Sequence, residues 1–426
     1  MLETGPTMDP TITNPAIANW KQHSEEYTIT IFNDEKGSTI QFIKHSDYFT
    51  VPTPLPANYT YSIISNHFDN IYLTDISITD NYAIVCGWTD IPGGGVGIIG
   101  YFDIKTSLLI SQINLIWYKV NSLLCINKVA AILNNTDIIV EAIGTNDPVA
   151  WTNHDISNSI VQCDNILANP CTIRVANFQP NEWAYDILVS SNYFVSVGYE
   201  STTQSLCLRR FDRYIGITDP TINTQALIKT PVYSIPRATD IPNDELAITF
   251  LDYNGLIGFS TNLLIVNIAS AANTSYQILD IGEETPPDDI AFIEDDKSIV
   301  ILQQTSSGSY YNNSGFFFFD PQQTTNYISF ADYFEEFIFH KITAIQHSPK
   351  QNFMSLSNDN RWALRRKTST MPYSCPDRIS TQIAVIPTLT TVFNSDPLTP
   401  TTDNLTPTPI LNPIGIKIPT NTCFSF

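Results

Sequence analysis

The sequence has few basic residues, and this shortage limits its partners. Its 21 Lys and Arg side chains stand against 42 Asp and Glu side chains, which gives a formal net charge of −21. An acidic surface repels phosphate backbones, so we expect no nucleic acid partner. The acidic residues favour a well-hydrated surface, with bound cations or a basic partner as the alternative.

Long apolar runs are also missing. No segment reaches the roughly 20 consecutive apolar residues of a membrane-spanning helix, so no membrane span is predicted. The first twenty residues have neither a basic n-region nor an apolar h-region, and we therefore expect no signal peptide in this chain.

Local catalytic and cofactor motifs are absent as well. The six histidines form no HxH or HExxH pattern, and none lies beside a GxSxG serine. Gly95-Val-Gly97-Ile-Ile-Gly100 matches GxGxxG, but it follows a turn and continues as a strand, which favours a hairpin over a dinucleotide site. We therefore expect no cofactor and assign no catalytic residue. The oxygen-rich turns at 252–255 and 357–360 leave a structural calcium ion open.

The seven cysteines form no CxxC motif, which argues against a zinc ribbon or a thioredoxin-like site. Cys163 and Cys171 bracket a polar loop and predict a local disulfide. Cys375 and Cys423 are a second candidate pair near the C-terminus. The alternative is that all seven cysteines are reduced and packed.

The residues that are abundant indicate strands. Ile, Val, Tyr, Phe and Thr dominate, while stretches rich in Ala, Leu, Glu and Lys are rare. Two segments align without a gap, one from Asp75 to Trp88 and one from Asp186 to Tyr199. Each has a short alternating strand, a turn that ends in Asn-Tyr, a second strand and a Gly-aromatic pair. Weaker copies start near residues 122, 240, 289 and 343, and several copies continue into a third strand that ends in Phe-Asp.

The repeat period is about 54 residues, which is typical of the four-stranded blades of a β-propeller. We predict an all-β protein that forms a single ring of six, or seven, four-stranded blades over residues 26–388. The early strands at 27–32 and 38–44 are expected to complete a blade that begins near the C-terminus. Residues 1–25 and the Pro-, Thr- and Asn-rich residues 389–426 are predicted to be extended arms, which would contact the chain's own body or neighbouring chains.

The segments 81–88 and 97–104 carry a resemblance to a known group of proteins. Asn81-Tyr-Ala-Ile-Val-Cys-Gly-Trp88, followed by Gly97-Ile-Ile-Gly-Tyr-Phe-Asp-Ile104, resembles the blade motif of uncharacterised secreted or surface propeller proteins of Bacteroidales bacteria. The resemblance covers blade-like segments from about residue 71 to 367. It implies a propeller fold and a secreted or surface location, and it assigns no functional residue.

Aromatic side chains are the best candidates for ligand contact, because exposed rings stack on sugars and anchor protein interfaces. Five of them lie near predicted loops or strand ends: Trp88, Trp151, Trp183, Tyr310 and Tyr311. The alternative is that these rings pack between blades.

The pattern as a whole favours a non-enzymatic recognition or structural module that binds a glycan or a protein outside the cell, on a surface or a virion. One alternative is a propeller glycosidase or lyase, with carboxylates from different blades at one funnel. Another is a phage fibre or decoration protein that joins a larger assembly through its termini.

Overall fold

The computed structural model describes part of the chain, and the chain divides into two compact units. The first unit comprises Met1–Ala176 and Thr401–Phe426, and the second comprises Asn177–Pro400. The described residues are 15–22, 25–35, 37–44, 59–63, 70–91, 94–110, 112–148, 156–190, 192–212, 224–230, 232–254, 258–278, 286–294, 297–305, 313–319, 327–330, 339–344, 353–357, 362–365, 378–381, 383–386 and 391–409.

The first unit contains three antiparallel sheets, each a meander of four consecutive strands. Sheet 1 consists of β1 (Ala16–Gln22), β2 (Glu25–Asp34), β3 (Gly37–Lys44) and β4 (Tyr59–Ile63). Sheet 2 consists of β5 (Ile71–Thr79), β6 (Tyr82–Ile91), β7 (Gly94–Asp103) and β8 (Ile116–Val120), with helix α1 (Ile104–Ile110) between the last two strands. Sheet 3 consists of β9 (Cys125–Asn134), β10 (Asp137–Thr145), β11 (Ser159–Cys163) and β12 (Cys171–Asn177).

The second unit contains four further sheets with the same meander order. Sheet 4 consists of β13 (Glu182–Val189), β14 (Tyr193–Glu200), β15 (Ser205–Asp212) and β16 (Thr224–Ile228). Sheet 5 consists of β17 (Arg237–Ile241), β18 (Glu245–Asn254), β19 (Gly258–Asn267) and β20 (Asn273–Ile278). Sheet 6 consists of β21 (Pro287–Ile293), β22 (Ser298–Thr305), β23 (Asn313–Phe319) and β24 (Tyr327–Phe330). Sheet 7 is described by β25 (Phe339–Ala344), β26 (Phe353–Ser357) and β27 (Trp362–Arg365).

Apolar side chains from one sheet pack against those of the next. In the first unit, one cluster joins sheets 1 and 2 through side chains such as Phe42 and Phe102, and another joins sheets 2 and 3. In the second unit, equivalent clusters join sheet 4 to sheet 5 and sheet 5 to sheet 6. A single four-stranded sheet has two apolar faces, and stacking covers both of them. The prediction of an all-β protein of the β-propeller class is therefore confirmed.

The segment Arg378–Pro409, which we call the C-terminal strap, adds a fifth strand to five sheets. Each strap strand pairs antiparallel with the last strand of its meander. The strap strands are β28 (Arg378–Thr381) on sheet 6, β29 (Ile383–Ile386) on sheet 5, β30 (Asn394–Ser395) on sheet 4, β31 (Thr401–Leu405) on sheet 3 and β32 (Thr408–Pro409) on sheet 2. The prediction of four-stranded blades therefore missed one strand in each of these sheets.

Sheet 1 corrects two further predictions. Its first strand, β1, begins at Ala16, inside the predicted N-terminal arm of residues 1–25. The strands predicted to complete a C-terminal blade are β2 and β3, and they pair with β1 and β4 from the same end of the chain. The prediction missed β1 because its residues were assigned to the N-terminal arm, and it missed β4 because that strand has only five residues.

The repeated aspartates link neighbouring sheets. Asp75, Asp186 and Asp289 each lie at a β-bulge in the first strand of sheets 2, 4 and 6. The Oδ2 atom of each accepts a hydrogen bond from a backbone amide in the first strand of the following sheet. The amides belong to Val129, Ala238 and Ile342, at 3.0, 3.3 and 2.8 Å respectively. The predicted equivalence of Asp75 and Asp186 is confirmed.

Basic residues reinforce two of these links. The Nζ atom of Lys128 lies 3.6 Å from Asp75 Oδ1, and that of Lys341 lies 3.7 Å from Asp289 Oδ1. Both ion pairs are largely buried. Two copies of the repeat therefore carry an acidic and a basic residue at corresponding positions of neighbouring sheets.

The repeated glycines are required by the same bulges. A Cβ atom on Gly87 or Gly198 would lie 1.9 Å from the carbonyl oxygen of Tyr72 or Trp183. Gly87 and Gly198 lie opposite the residue immediately before the bulge. The Gly-aromatic motif therefore exists because the bulged strand passes too close for any side chain.

A buried arginine anchors the strap to sheet 4. Arg209 on β15 is fully buried, and its Nε and Nη2 atoms donate to the two carboxylate oxygens of Glu182 at 2.8 Å each. Its Nη1 atom donates to the carbonyl oxygen of Asp396 at 2.6 Å, and Nη2 also contacts the Asp396 carboxylate. The adjacent guanidinium of Arg210 lies over the ring of Phe393, 4.1 Å from its centroid. Two consecutive arginines of β15 therefore contact the strap, Arg209 through Asp396 and Arg210 through the ring of Phe393.

Candidate functional site

The second unit contains a pocket of about 640 Å³ lined by tyrosines and prolines. Its twelve described lining residues are Tyr185, Tyr199, Val232, Tyr233, Ser234, Ile235, Arg237, Leu251, Phe259, Pro286, Pro287 and Asp288. They come from strands of sheets 4, 5 and 6 and from the segments just before β17 and β21. The volume is in the range of small-molecule sites, which typically combine aromatic walls with a few polar groups.

Three aromatic rings form a cluster of which Tyr233 and Phe259 line the pocket, while Tyr253 contacts both of them from outside the twelve lining residues. The ring centroid of Tyr233 lies 5.9 Å from that of Tyr253 and 6.0 Å from that of Phe259, and the last two lie 5.0 Å apart. Tyr233 is 57% exposed and Tyr253 is 45% exposed. Tilted and edge-on contacts of this kind hold the rings in place while leaving ring surface open to solvent.

Backbone contacts fix the position of the cluster. The Tyr233 amide donates to the carbonyl of Leu251 at 2.8 Å, and the Leu251 amide donates to Ser234 Oγ at 2.8 Å. Because β18 and β19 pair along their whole length, Tyr253 lies directly opposite Phe259. The segment that carries Tyr233 is therefore attached to the hairpin that carries the other two rings.

Polar groups lie beside these rings. Arg237 lines the pocket and is buried, and Asp288 carries the carboxylate among the twelve lining residues. One Asp288 oxygen lies 3.6 Å from Nδ1 of His340 on β25. Burial raises the pKa of the Tyr199 hydroxyl, with smaller contributions from Glu200 and Tyr233, so this hydroxyl stays protonated and can donate a hydrogen bond. The pocket therefore offers donors, an acceptor and ring faces together.

Of the predicted ligand-contact aromatics, the structure describes Trp88 and Trp183. Each lies opposite a tyrosine between the first two strands of its sheet, Trp88 opposite Tyr72 and Trp183 opposite Tyr199. Trp88 is 2% exposed and stacks on Tyr72 with centroids 4.3 Å apart. The structure thus places Trp88 in the core, where it packs with Tyr72 and Cys125. Trp183 is half-buried and lies directly opposite Tyr199, which lines the pocket. Trp151, Tyr310 and Tyr311 lie outside the described residues.

The cluster of Tyr233, Tyr253 and Phe259 was missed by the sequence prediction. Tyr253 belongs to the oxygen-rich turn at 252–255, which was considered only for calcium. The carboxylate of Asp252 accepts a hydrogen bond from Asn262 Nδ2 at 3.0 Å, and burial raises its pKa despite that bond. The sequence signal for this cluster was the presence of Tyr233 and Tyr253 near two loops. Their approach to each other depends on how the strands of sheet 5 pair, which the sequence pattern does not reveal.

The disulfide prediction is confirmed, since Cys163 and Cys171 are bonded. This bond joins the last residue of β11 to the first residue of β12. Cys86, Cys125 and Cys207 are buried thiols, and burial raises the pKa of each above its usual value. The candidate pair Cys375 and Cys423 lies outside the described residues.

Within the described residues, no group of three or more His, Cys, Asp or Glu side chains is arranged to hold a metal ion. None of the helices that they form is long and apolar enough to span a bilayer.

Comparisons with known proteins do not assign the chain to a family. No protein-family model matches it, and no curated protein matches it either.

Proposed function

We propose that the protein is a non-enzymatic recognition module that binds a carbohydrate in the tyrosine-lined pocket of the second unit. The observation that carries the proposal is the exposed ring of Tyr233, which lines the pocket together with Phe259, Arg237 and Asp288. Sugar rings present an apolar face that stacks on aromatic side chains, and hydroxyl groups that pair with charged or hydroxyl side chains.

The pocket is better suited to binding than to hydrolysis. A glycosidase uses two carboxylates, about 5 to 10 Å apart, on either side of the scissile bond. Of the twelve described lining residues, Asp288 alone has a carboxylate. This carboxylate lies 3.6 Å from Nδ1 of His340. In the proposal it accepts hydrogen bonds from sugar hydroxyls.

The experiment begins with a glycan array and continues with calorimetry on an oligosaccharide that the array selects. We expect Y233A to weaken binding at least about tenfold, which corresponds to about 1.4 kcal/mol. Y233F keeps the ring and should bind nearly as well as the wild type. L109A, which removes an exposed apolar side chain of α1, is the matched control and should have no effect. Equal affinity for Y233A and wild type would contradict the proposal, and so would cleavage of the oligosaccharide.

We also propose an extracellular location, on a cell surface or a virion. The Cys163–Cys171 disulfide supports it, because such bonds persist in oxidising compartments. We also propose, from the motif at 81–88, that this protein is related to the secreted propeller proteins of Bacteroidales bacteria. We propose further that the sheets form a single ring of six or seven blades. The repeated hydrogen bonds from one sheet to the next within each unit support this proposal.

A further inference from the structure

The residue before each repeated aspartate is the extra residue of a β-bulge. It is Thr74 in sheet 2, Tyr185 in sheet 4 and Asp288 in sheet 6. A bulge re-aims the side chain of its extra residue, which leaves the regular alternation of the strand. Thr74 donates a hydrogen bond to the carbonyl oxygen of Ile126 at 2.6 Å. Tyr185 and Asp288 instead both line the pocket of the second unit, so two copies of the bulge bring a ring and a carboxylate to one site.

The aromatic walls of this pocket can bind a cation as well as a sugar. Four of the lining residues are aromatic, namely Tyr185, Tyr199, Tyr233 and Phe259. The face of an aromatic ring is electrostatically negative and therefore attracts an ammonium group that lies over it. Rings that contact the apolar face of a sugar can thus also hold a positive charge carried by the same sugar.

The carboxylates near these rings have the complementary charge. Asp288 lines the pocket, and His340, which lies 3.6 Å from it, is positively charged only when protonated. Burial raises the pKa of the Tyr199 hydroxyl, and the negative charge of the neighbouring Glu200 adds to this rise. The net charge of −21 also attracts cations to the protein as a whole. The charges around the pocket therefore favour an ammonium group over an acidic one.

Arg237 is the basic residue among the twelve described lining residues, and the repeat indicates what offsets its charge. It corresponds to Lys128 and Lys341, since each of the three precedes the amide that donates to a repeated aspartate. The two lysines lie 3.6 and 3.7 Å from those aspartates. We therefore expect Asp186, the aspartate of this copy, to offset the charge of Arg237. Asp288 then determines the charge that a ligand meets in the pocket.

We propose that the saccharide bound in this pocket carries an ammonium group, as a deacetylated amino sugar does, and that the Asp288 carboxylate pairs with this group. The inference rests on the proposed function and names the class of sugar. A charged donor binds a carboxylate more strongly than a neutral hydroxyl does, and the rings add their attraction for the cation. N-acetylation removes the charge, so the protein should distinguish the two forms of the same sugar.

Calorimetry with two oligosaccharides of equal length tests this inference, one of glucosamine and one of N-acetylglucosamine, in a buffer that keeps the glucosamine amines protonated. We expect the wild type to bind the glucosamine oligosaccharide at least about tenfold more tightly, and higher ionic strength to reduce this preference. D288N should lose most of the preference, and its unchanged binding of the N-acetylated oligosaccharide would show that the pocket is intact. D403N changes an exposed aspartate of β31 and is the matched control, which should behave as the wild type.

Y233A separates this inference from the proposed function, because the ring should contact both oligosaccharides and its loss should weaken the binding of both. Equal affinity of the wild type for the two oligosaccharides, or a preference that persists in D288N, would overturn the inference. The proposed function would still stand in that case if Y233A weakened binding. Binding of neither oligosaccharide would also overturn the inference, and the glycan array would then decide the proposed function.

Discussion

Replacement of Arg209 by methionine should separate the strap from sheet 4 and destabilise the protein. R209M removes two hydrogen bonds to Glu182 and two contacts to Asp396. Glu182 is itself buried, so its carboxylate would be left without the guanidinium that pairs with it. Breaking a buried ion pair in this way typically costs about 3 to 5 kcal/mol.

The partner variant sharpens this prediction. In R209M/E182M both charged groups are replaced by apolar side chains of similar length, so no buried charge remains without its partner. Such replacements are often neutral, so the double variant should recover most of the loss and keep only the cost of the Asp396 contacts, about 1 kcal/mol.

Equilibrium unfolding in urea measures both values. The result that would refute the reasoning is R209M within about 1 kcal/mol of the wild type, or a double variant less stable than R209M. A change in proteolysis within residues 391–400 would report separately on release of the strap.

Three further predictions concern the repeat, a turn and the disulfide. G87A should lower the free energy of unfolding by at least about 1 to 3 kcal/mol, because its Cβ would lie 1.9 Å from the Tyr72 carbonyl oxygen; a wild-type melting temperature would contradict the bulge argument. Glu200 is partly buried, which raises its pKa, but hydrogen bonds from the hydroxyl and amide of Thr203 and from the amide of Thr202 outweigh this effect and lower the pKa to about 2. The wild type should therefore be more stable than E200Q above about pH 4.3, and the difference should fade as the pH falls towards 2; a difference that stays constant in acid would argue against it. Replacing both Cys163 and Cys171 by serine should cost about 2 to 3 kcal/mol by the chain-entropy estimate, and urea midpoints equal to those of the oxidised wild type would exclude that contribution.

Local patterns predicted the features that depend on local chemistry. The aspartate of the repeat was recognised because the same spacing recurs around Asp75 and Asp186, and the disulfide because Cys163 and Cys171 flank one loop. Both signals are short in sequence, and the bulge that explains the repeated aspartate is equally local.

Features set by long-range pairing could not be predicted in this way. The strap strands are only two to five residues long, so they are defined by the edge of a distant strand and not by a pattern of their own. The aromatic wall of the pocket depends on Tyr233 meeting Phe259 of sheet 5. Trp88 was expected near a loop, but it lies opposite Tyr72 and packs in the core with Tyr72 and Cys125.

A crystal structure with an array-selected oligosaccharide tests the central claim most directly. The account predicts a sugar ring stacked on Tyr233, with its hydroxyl groups bonded to Arg237 or Asp288. An intact sugar bound on any other surface, or a cleaved one in the pocket, would contradict it.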